Sequence, residues 1–120
     1  MSNATRATID ILRSLAFGSI SGTYAAVGTS FVFPCRLICL TNNTDGDMFF
    51  STDGSTNMLF VAASSFKLFD VSTNRSVASE QLTFAVGTQL YVKQSTMPSK
   101  GAVYIEVIYA LPKNLAPNTL

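Results

Sequence analysis

Apolar residues fall in short runs along this chain, divided by clusters of Gly, Asn, Asp and Ser. Runs of this length and spacing predict strands rather than helices. The clearest is 102–110, where Val103, Ile105, Val107 and Tyr109 share one side and Tyr104, Glu106 and Ile108 the other. Gln89 to Lys93 alternates in the same way, with Leu90 and Val92 facing in. Further strands are expected at 15–20, 24–27, 31–33, 36–41, 48–51, 57–62, 66–71 and 82–84. Residues 36–41 are apolar on both faces, as in a strand covered on both sides. Pro34 has no N–H to give to a ladder and should mark a strand start.

The turns organise the middle of the chain. Asp45-Gly46 and Asp53-Gly54 separate apolar runs within 39–74. Asp-Gly tolerates positive φ and matches strand twist, so both read as hairpin turns between consecutive antiparallel strands. Asn42 to Gly46 reads as the first turn. Asp70 and Asn74 bracket the next one, with 72–81 polar and loop-like. The fold expected is all-β: a single antiparallel β-sandwich, jelly-roll-like, at 15–110. Residues 1–14 read either as a short helix near 8–15 with Thr8 as N-cap or, since the run lacks a full amphipathic stripe, as an extended arm that orders against a neighbour, and 111–120, with Pro112 and Pro117, as a tail.

Composition changes the picture in one respect. Hydrophobic residues make up 48% of the 120 and charged residues 12%, about half the usual charged fraction. Either the surface is a Ser/Thr-rich β-surface, or much of it is buried against other chains. The net charge of +1 comes without a basic cluster, so no specific nucleic-acid surface is expected. No run approaches a membrane span. The N-terminus is polar, without a signal-peptide apolar region, so assembly in the cytoplasm is expected. Cys35 and Cys39, four apart in one strand, should share a face about 13 Å apart, too far to bond. They read as buried free thiols.

Candidate chemistry is sparse. The chain has no His and no Trp, which removes Ser-His and Cys-His nucleophiles and His-based metal sites. Asp45, Asp47 and Asp53 are close enough in sequence to raise calcium, but their spacing is not that of an EF-hand, and Asp in turns has backbone reasons. Asp70 and Glu106 are either an acid–base pair or strand residues at a solvent or subunit boundary. Phe49, Phe50, Phe60, Phe66 and Phe69 read as core. Tyr91, Tyr104 and Tyr109 either line a sugar-binding face or pack a sheet with hydroxyls at its rim. The Asn-x-Ser/Thr triplets at Asn3, Asn42 and Asn74 read as chance matches.

Several stretches carry a resemblance: Leu40-Thr-Asn-Asn-Thr-Asp-Gly-Asp, Ser51-Thr-Asp-Gly, Phe66-Lys-Leu-Phe-Asp70 to Asn74, Gly87-Thr-Gln-Leu-Tyr-Val-Lys and Gly101-Ala-Val-Tyr-Ile-Glu-Val-Ile-Tyr-Ala. Together, over 15–110, they resemble small β-sandwich virion proteins of tailed bacteriophages. The resemblance implies a non-catalytic structural part of a particle, joining subunits at the head–tail junction or tail, or cementing the capsid. It implies no cofactor. The partners implied are other virion proteins and further copies of this chain in a symmetric assembly. Candidate partner contacts are Ile9, Ile11, Leu12, Tyr91, Tyr104, Pro112 and Pro117. A carbohydrate-binding sandwich is the alternative from another class.

Overall fold

A computed structural model describes residues 5–71 and 84–112. The described strands are β1 (Thr5–Ile9), β2 (Arg13–Ala16), β3 (Ala25–Ala26), β4 (Cys35–Thr44), β5 (Met48–Ser51), β6 (Leu59–Val61), β7 (Ser65–Asp70), β8 (Tyr91–Gln94) and β9 (Gly101–Pro112). A 3-10 turn, Phe17–Ser19, follows β2. One sheet runs β1-β9-β4-β7 with β2 also on β9; the other runs β3-β8-β5-β6. All pairings are antiparallel, and apart from β4–β9 and β5–β8, which complete the two sheets, they are nested. The outermost pairs join β1 and β2 to β9. Inside them lie β3 with β8, then β4 with β7, then β5 with β6. That nesting is the jelly-roll connectivity. Among the described residues no helix is long and apolar enough to cross a membrane.

The core lies between the sheets. Ile38, Leu40, Val103, Ile105, Val107 and Tyr109 face inward from one, Met48, Phe50, Val61 and Val92 from the other. Val27, Phe31 and Leu90 close it from the connections. Of the phenylalanines expected inside, Phe50 is fully buried and Phe69 packs partly buried against the core. Phe49 is half-buried, while Phe60 and Phe66 are exposed. Their register turns them to the outer faces.

The ends differ from the sequence expectation. Part of the segment assigned to an arm lies on the chain's own β9, from Thr5 opposite Pro112 to Ile9 opposite Ile108. The second strand begins at Arg13, not Leu15. An extended conformation was legible; its partner, the far end of the same chain, was not. Asp10 N–H bonds Val107 O at 2.9 Å and Arg13 pairs with Ile105. Ile11 and Leu12 therefore stand against the single residue Glu106, a bulge that divides β1 from β2. β9 itself continues through Leu111 and Pro112. Asn74, Pro117 and the tail from 113 lie outside the described residues, as do 1–4 and 72–83.

Asp45-Gly46 is not a hairpin. β4 and β5 lie in different sheets, so the chain crosses the sandwich there. Gly46 is absent from the positive-φ glycines; it is needed for space instead. A Cβ on it would lie 2.3 Å from Thr96 O, in the backbone of the loop that passes beneath. Asp53-Gly54 does turn a hairpin: β5 pairs with β6, and Gly54 has φ 76°.

The corner after β4 is pinned by Asn42, which is fully buried. The Asn42 amide Nδ2 donates to Gly46 O at 2.8 Å, Val61 O at 3.0 Å and Ala62 O at 3.2 Å. Its Oδ1 accepts from Thr44 N at 3.1 Å and Thr44 Oγ1 at 2.6 Å. Asn42 and Thr44 thus belong to the strand, continuing the inward positions of Ile38 and Leu40, and not to the turn the sequence suggested.

Cys35 and Cys39 do not share a face. The register on β9 shifts between Cys35 and Leu37, and this bulge at Arg36 reverses the alternation. Cys35 points into the core and is buried; Cys39 is half-buried on the outer side, and both are free thiols. Burial, with the nearby Asp10 carboxylate, pushes the Cys35 thiol up to about 11, so it stays protonated and unreactive at neutral pH.

Candidate functional site

The acidic turn residues are occupied with backbone. Asp45 accepts from Ser99 N at 2.7 Å and from Ser99 Oγ. Asp47 Oδ1 accepts from Ala63 N at 2.9 Å. Asp53 Oδ1 accepts from Ser51 Oγ at 2.7 Å and from Ser55 N and Thr56 N at 2.8 Å. Among the described residues no three acidic or Cys side chains gather as a metal-binding group.

These bonds leave an acid signature. The Ser51 hydroxyl, followed by the Thr56 and Ser55 amides, holds the Asp53 carboxyl well below the usual carboxylate range. The Ser99 hydroxyl and amide hold Asp45 below it as well. A carboxyl lowered on folding stabilises above its unfolded value, about 4, and that contribution drains away as pH falls below it. Asp53→Asn is expected to unfold at lower urea than wild type at pH 7, with the gap closing towards pH 2. Urea midpoints across that range are the measurement; a gap constant with pH would show that the carboxylate charge is irrelevant.

Asp70 and Glu106 both point outward from the five-stranded sheet. Asp70 pairs with Leu37 and Glu106 with Cys39, so β4 lies between them. Two strand spacings and a two-residue offset separate them by roughly 11 Å, too far to share a proton.

The three tyrosines occupy three different surfaces. Tyr109 faces the core, 7% exposed, and its ring stacks on Phe33 with centroids 4.4 Å apart. Tyr104 faces outward from the five-stranded sheet opposite Thr41. Tyr91 faces outward from the four-stranded sheet opposite Ser51. They cannot line one sugar-binding surface.

What the structure does bring together is two contrasting outer faces. The five-stranded sheet presents three rows: Asp70–Leu37–Ile108–Ile9, Leu68–Cys39–Glu106, and Phe66–Thr41–Tyr104–Ser14. Ile11 lies beside the second row at the bulge. Ile9 is 79% exposed, Ile11 70%, Phe66 64% and Leu68 55%. Leu12, at the same bulge, is also exposed. Contiguous exposed apolar residues of this size mark an interaction surface rather than ordinary scatter.

The opposite face carries aromatics around one cation. Phe49 pairs with Lys93 and Phe60 across β8, β5 and β6. Lys93 Nζ stands 5.1 Å from the Tyr24 ring centroid and 6.0 Å from that of Phe49. The Phe49 and Phe60 centroids are 5.6 Å apart. Tyr24 Oη donates to Asn57 Oδ1 at 2.6 Å, and the Gly54 turn lies flat over the Tyr91 ring. Tyr24, Lys93 and Phe49 were not candidates from sequence. Lys93 was legible only as an outward strand position; its neighbours are Tyr24, just before β3, and Phe49 of β5, which local pattern does not place beside it.

Neither a protein-family model nor a curated protein sequence matches the chain.

Proposed function

We propose that this chain is a non-catalytic structural subunit of a tailed-bacteriophage particle, joining virion proteins at the head–tail junction or tail by the faces of its sandwich. The observation that carries this reading is the uncovered apolar face of the five-stranded sheet, with Ile9, Ile11, Phe66 and Leu68 more than half exposed. A face of this kind suits a part that is buried in an assembly. The low charged fraction and the resemblance read from 15–110 point the same way. Jelly rolls serve as viral capsid domains and as lectins, so the fold alone does not choose. The glycan reading has lost its three-tyrosine face, and the Tyr24 and Phe49 rings already hold Lys93.

The test is quantitative mass spectrometry of purified particles from the phage encoding the chain. Tens of copies per particle place it at a junction or tail. Hundreds move it to the capsid lattice as a cement protein. Absence from particles overturns the structural reading.

A further inference from the structure

We propose that copies of this chain stack head to tail, the outer face of the five-stranded sheet in one copy docking on the outer face of the four-stranded sheet in the next, with Glu106 meeting Lys93. This names the partner left open by the structural-subunit reading and rests on that reading for its setting in a particle.

The two faces are complementary in kind. On the five-stranded sheet, Glu106 is exposed in the middle row, with Leu68 and Cys39 on one side and Ile11 at the bulge on the other. Ile108 and Tyr104 flank it along β9. Glu106 is the carboxylate at the centre of these rows, and no Lys or Arg takes an outward position of β4, β7 or β9 in them. Apolar surface there calls for a partner, and Glu106 decides which one. A two-fold related copy would bring the same face, and so the same sign of charge, against itself. Burying like charges against each other is strongly unfavourable.

The face that answers it is on the other side of the same sandwich. There Lys93 is the cation, set among Tyr24, Phe49 and Phe60. Its ammonium is already held over two rings, so little side-chain freedom remains to be lost on docking. The apolar groups supply affinity: Phe66, Leu68 and Ile11 from one copy, Phe49 and the exposed edge of Phe60 from the next. The charge pair supplies register and excludes the two-fold alternative. A contact between two different faces of one molecule is heterologous. It closes into a ring if the rotation between copies allows, and runs on as a stack if it does not.

Charge reversal tests this directly, by sedimentation velocity on the purified full chain. Wild type is expected to self-associate at concentrations below about 0.1 mM, the range of a modest specific interface. Glu106→Lys alone and Lys93→Glu alone are each expected to weaken that association about tenfold or more. Mixing the two variants should restore it, because each then offers the charge the other lacks. The double variant Glu106→Lys/Lys93→Glu should restore it within one chain. Thermal unfolding of each variant near wild type, together with rescue on mixing, separates lost docking from lost folding. A wild-type chain that stays monomeric at about 1 mM overturns the proposal. So do single variants that associate as wild type does, and folded variants that fail to rescue each other. Presence in particles judges the structural-subunit reading separately, whatever the solution state proves to be.

Discussion

Asn42→Ala is expected to lower the unfolding free energy by about 4 kcal/mol, enough to unfold a domain of ordinary stability near room temperature. The Asn42 side chain makes five hydrogen bonds at the β4 corner, three as donor and two as acceptor. Its orientation is fixed by Thr44 N, which can only donate. Removing the amide strands Val61 O, takes one partner from Gly46 O and from the less buried Ala62 O, and leaves Thr44 N–H short of an acceptor. Each stranded buried group costs about 1–3 kcal/mol. The packing loss is small beside that, since the amide is little larger than a methyl pair. Asn42→Asp keeps the acceptor and shape but faces three carbonyls with a carboxylate, so it is expected to be no better than alanine. Guanidinium denaturation followed by circular dichroism reads both. Loss below about 1 kcal/mol for Asn42→Ala would mean that the corner relaxes and finds other partners.

Arg13→Ala is the second large effect, expected at about 3–5 kcal/mol. Arg13 is 3% exposed. Its Nε donates to Thr29 O at 2.6 Å, Nη2 to Ser30 O at 3.2 Å and Nη1 to Ile11 O at 3.2 Å. Nη1 also pairs with Asp10 Oδ2 at 3.1 Å. The guanidinium carbon stands 5.0 Å over the Phe31 ring. One residue thus ties β2 to the 27–31 connection across the mouth of the core. Alanine takes this donor from three carbonyls and from Asp10 Oδ2, leaving the largely buried carboxylate only the Ile11 amide on Oδ1. Arg13→Lys keeps the charge and most of the stem but not the planar fork that reaches several acceptors at once. It should recover less than half of the loss. Denaturant midpoints of the two variants make the measurement. Equal stability of lysine and wild type would show that only the charge matters.

Strands with a clean alternation were legible from the residues. β8 and most of β9 fall where the period of two puts them, with Leu90, Val92, Val103, Ile105 and Val107 inward as expected, and β5 falls where the two Asp-Gly signals bracket it. What escaped was set by distant partners. Arg13 reads as a polar residue of a free end until β2 is paired with β9; then Arg13 and Leu15 fall on the inward phase. Asn42 and Thr44 carry on the inward phase of Ile38 and Leu40, a signal overridden by their turn chemistry. The Asp-Gly pairs were ambiguous for a physical reason. The same dipeptide serves positive φ at Gly54 and close backbone approach at Gly46, and only the second strand's partner tells them apart. The two candidate faces were half legible. Alternation gave the outward positions of β8 and β9, but Phe49, Phe60 and Phe66 read as core, and which strands lie side by side was not legible.

The nested pairing also sets an order in time. β4 sits between β9 and β7 in the five-stranded sheet, and its ladder to β9 joins Thr44 to Gly101 and Leu37 to Ile108. On a ribosome, β9 emerges after all the other described strands. Until it does, β1 and β2 have no ladder and β4 shows an open edge on its longest side. Contacts this distant in sequence make folding slow, and an open edge invites pairing with the wrong chain. The nascent chain therefore waits, incomplete, until β9 has emerged, and only then can the five-stranded sheet close.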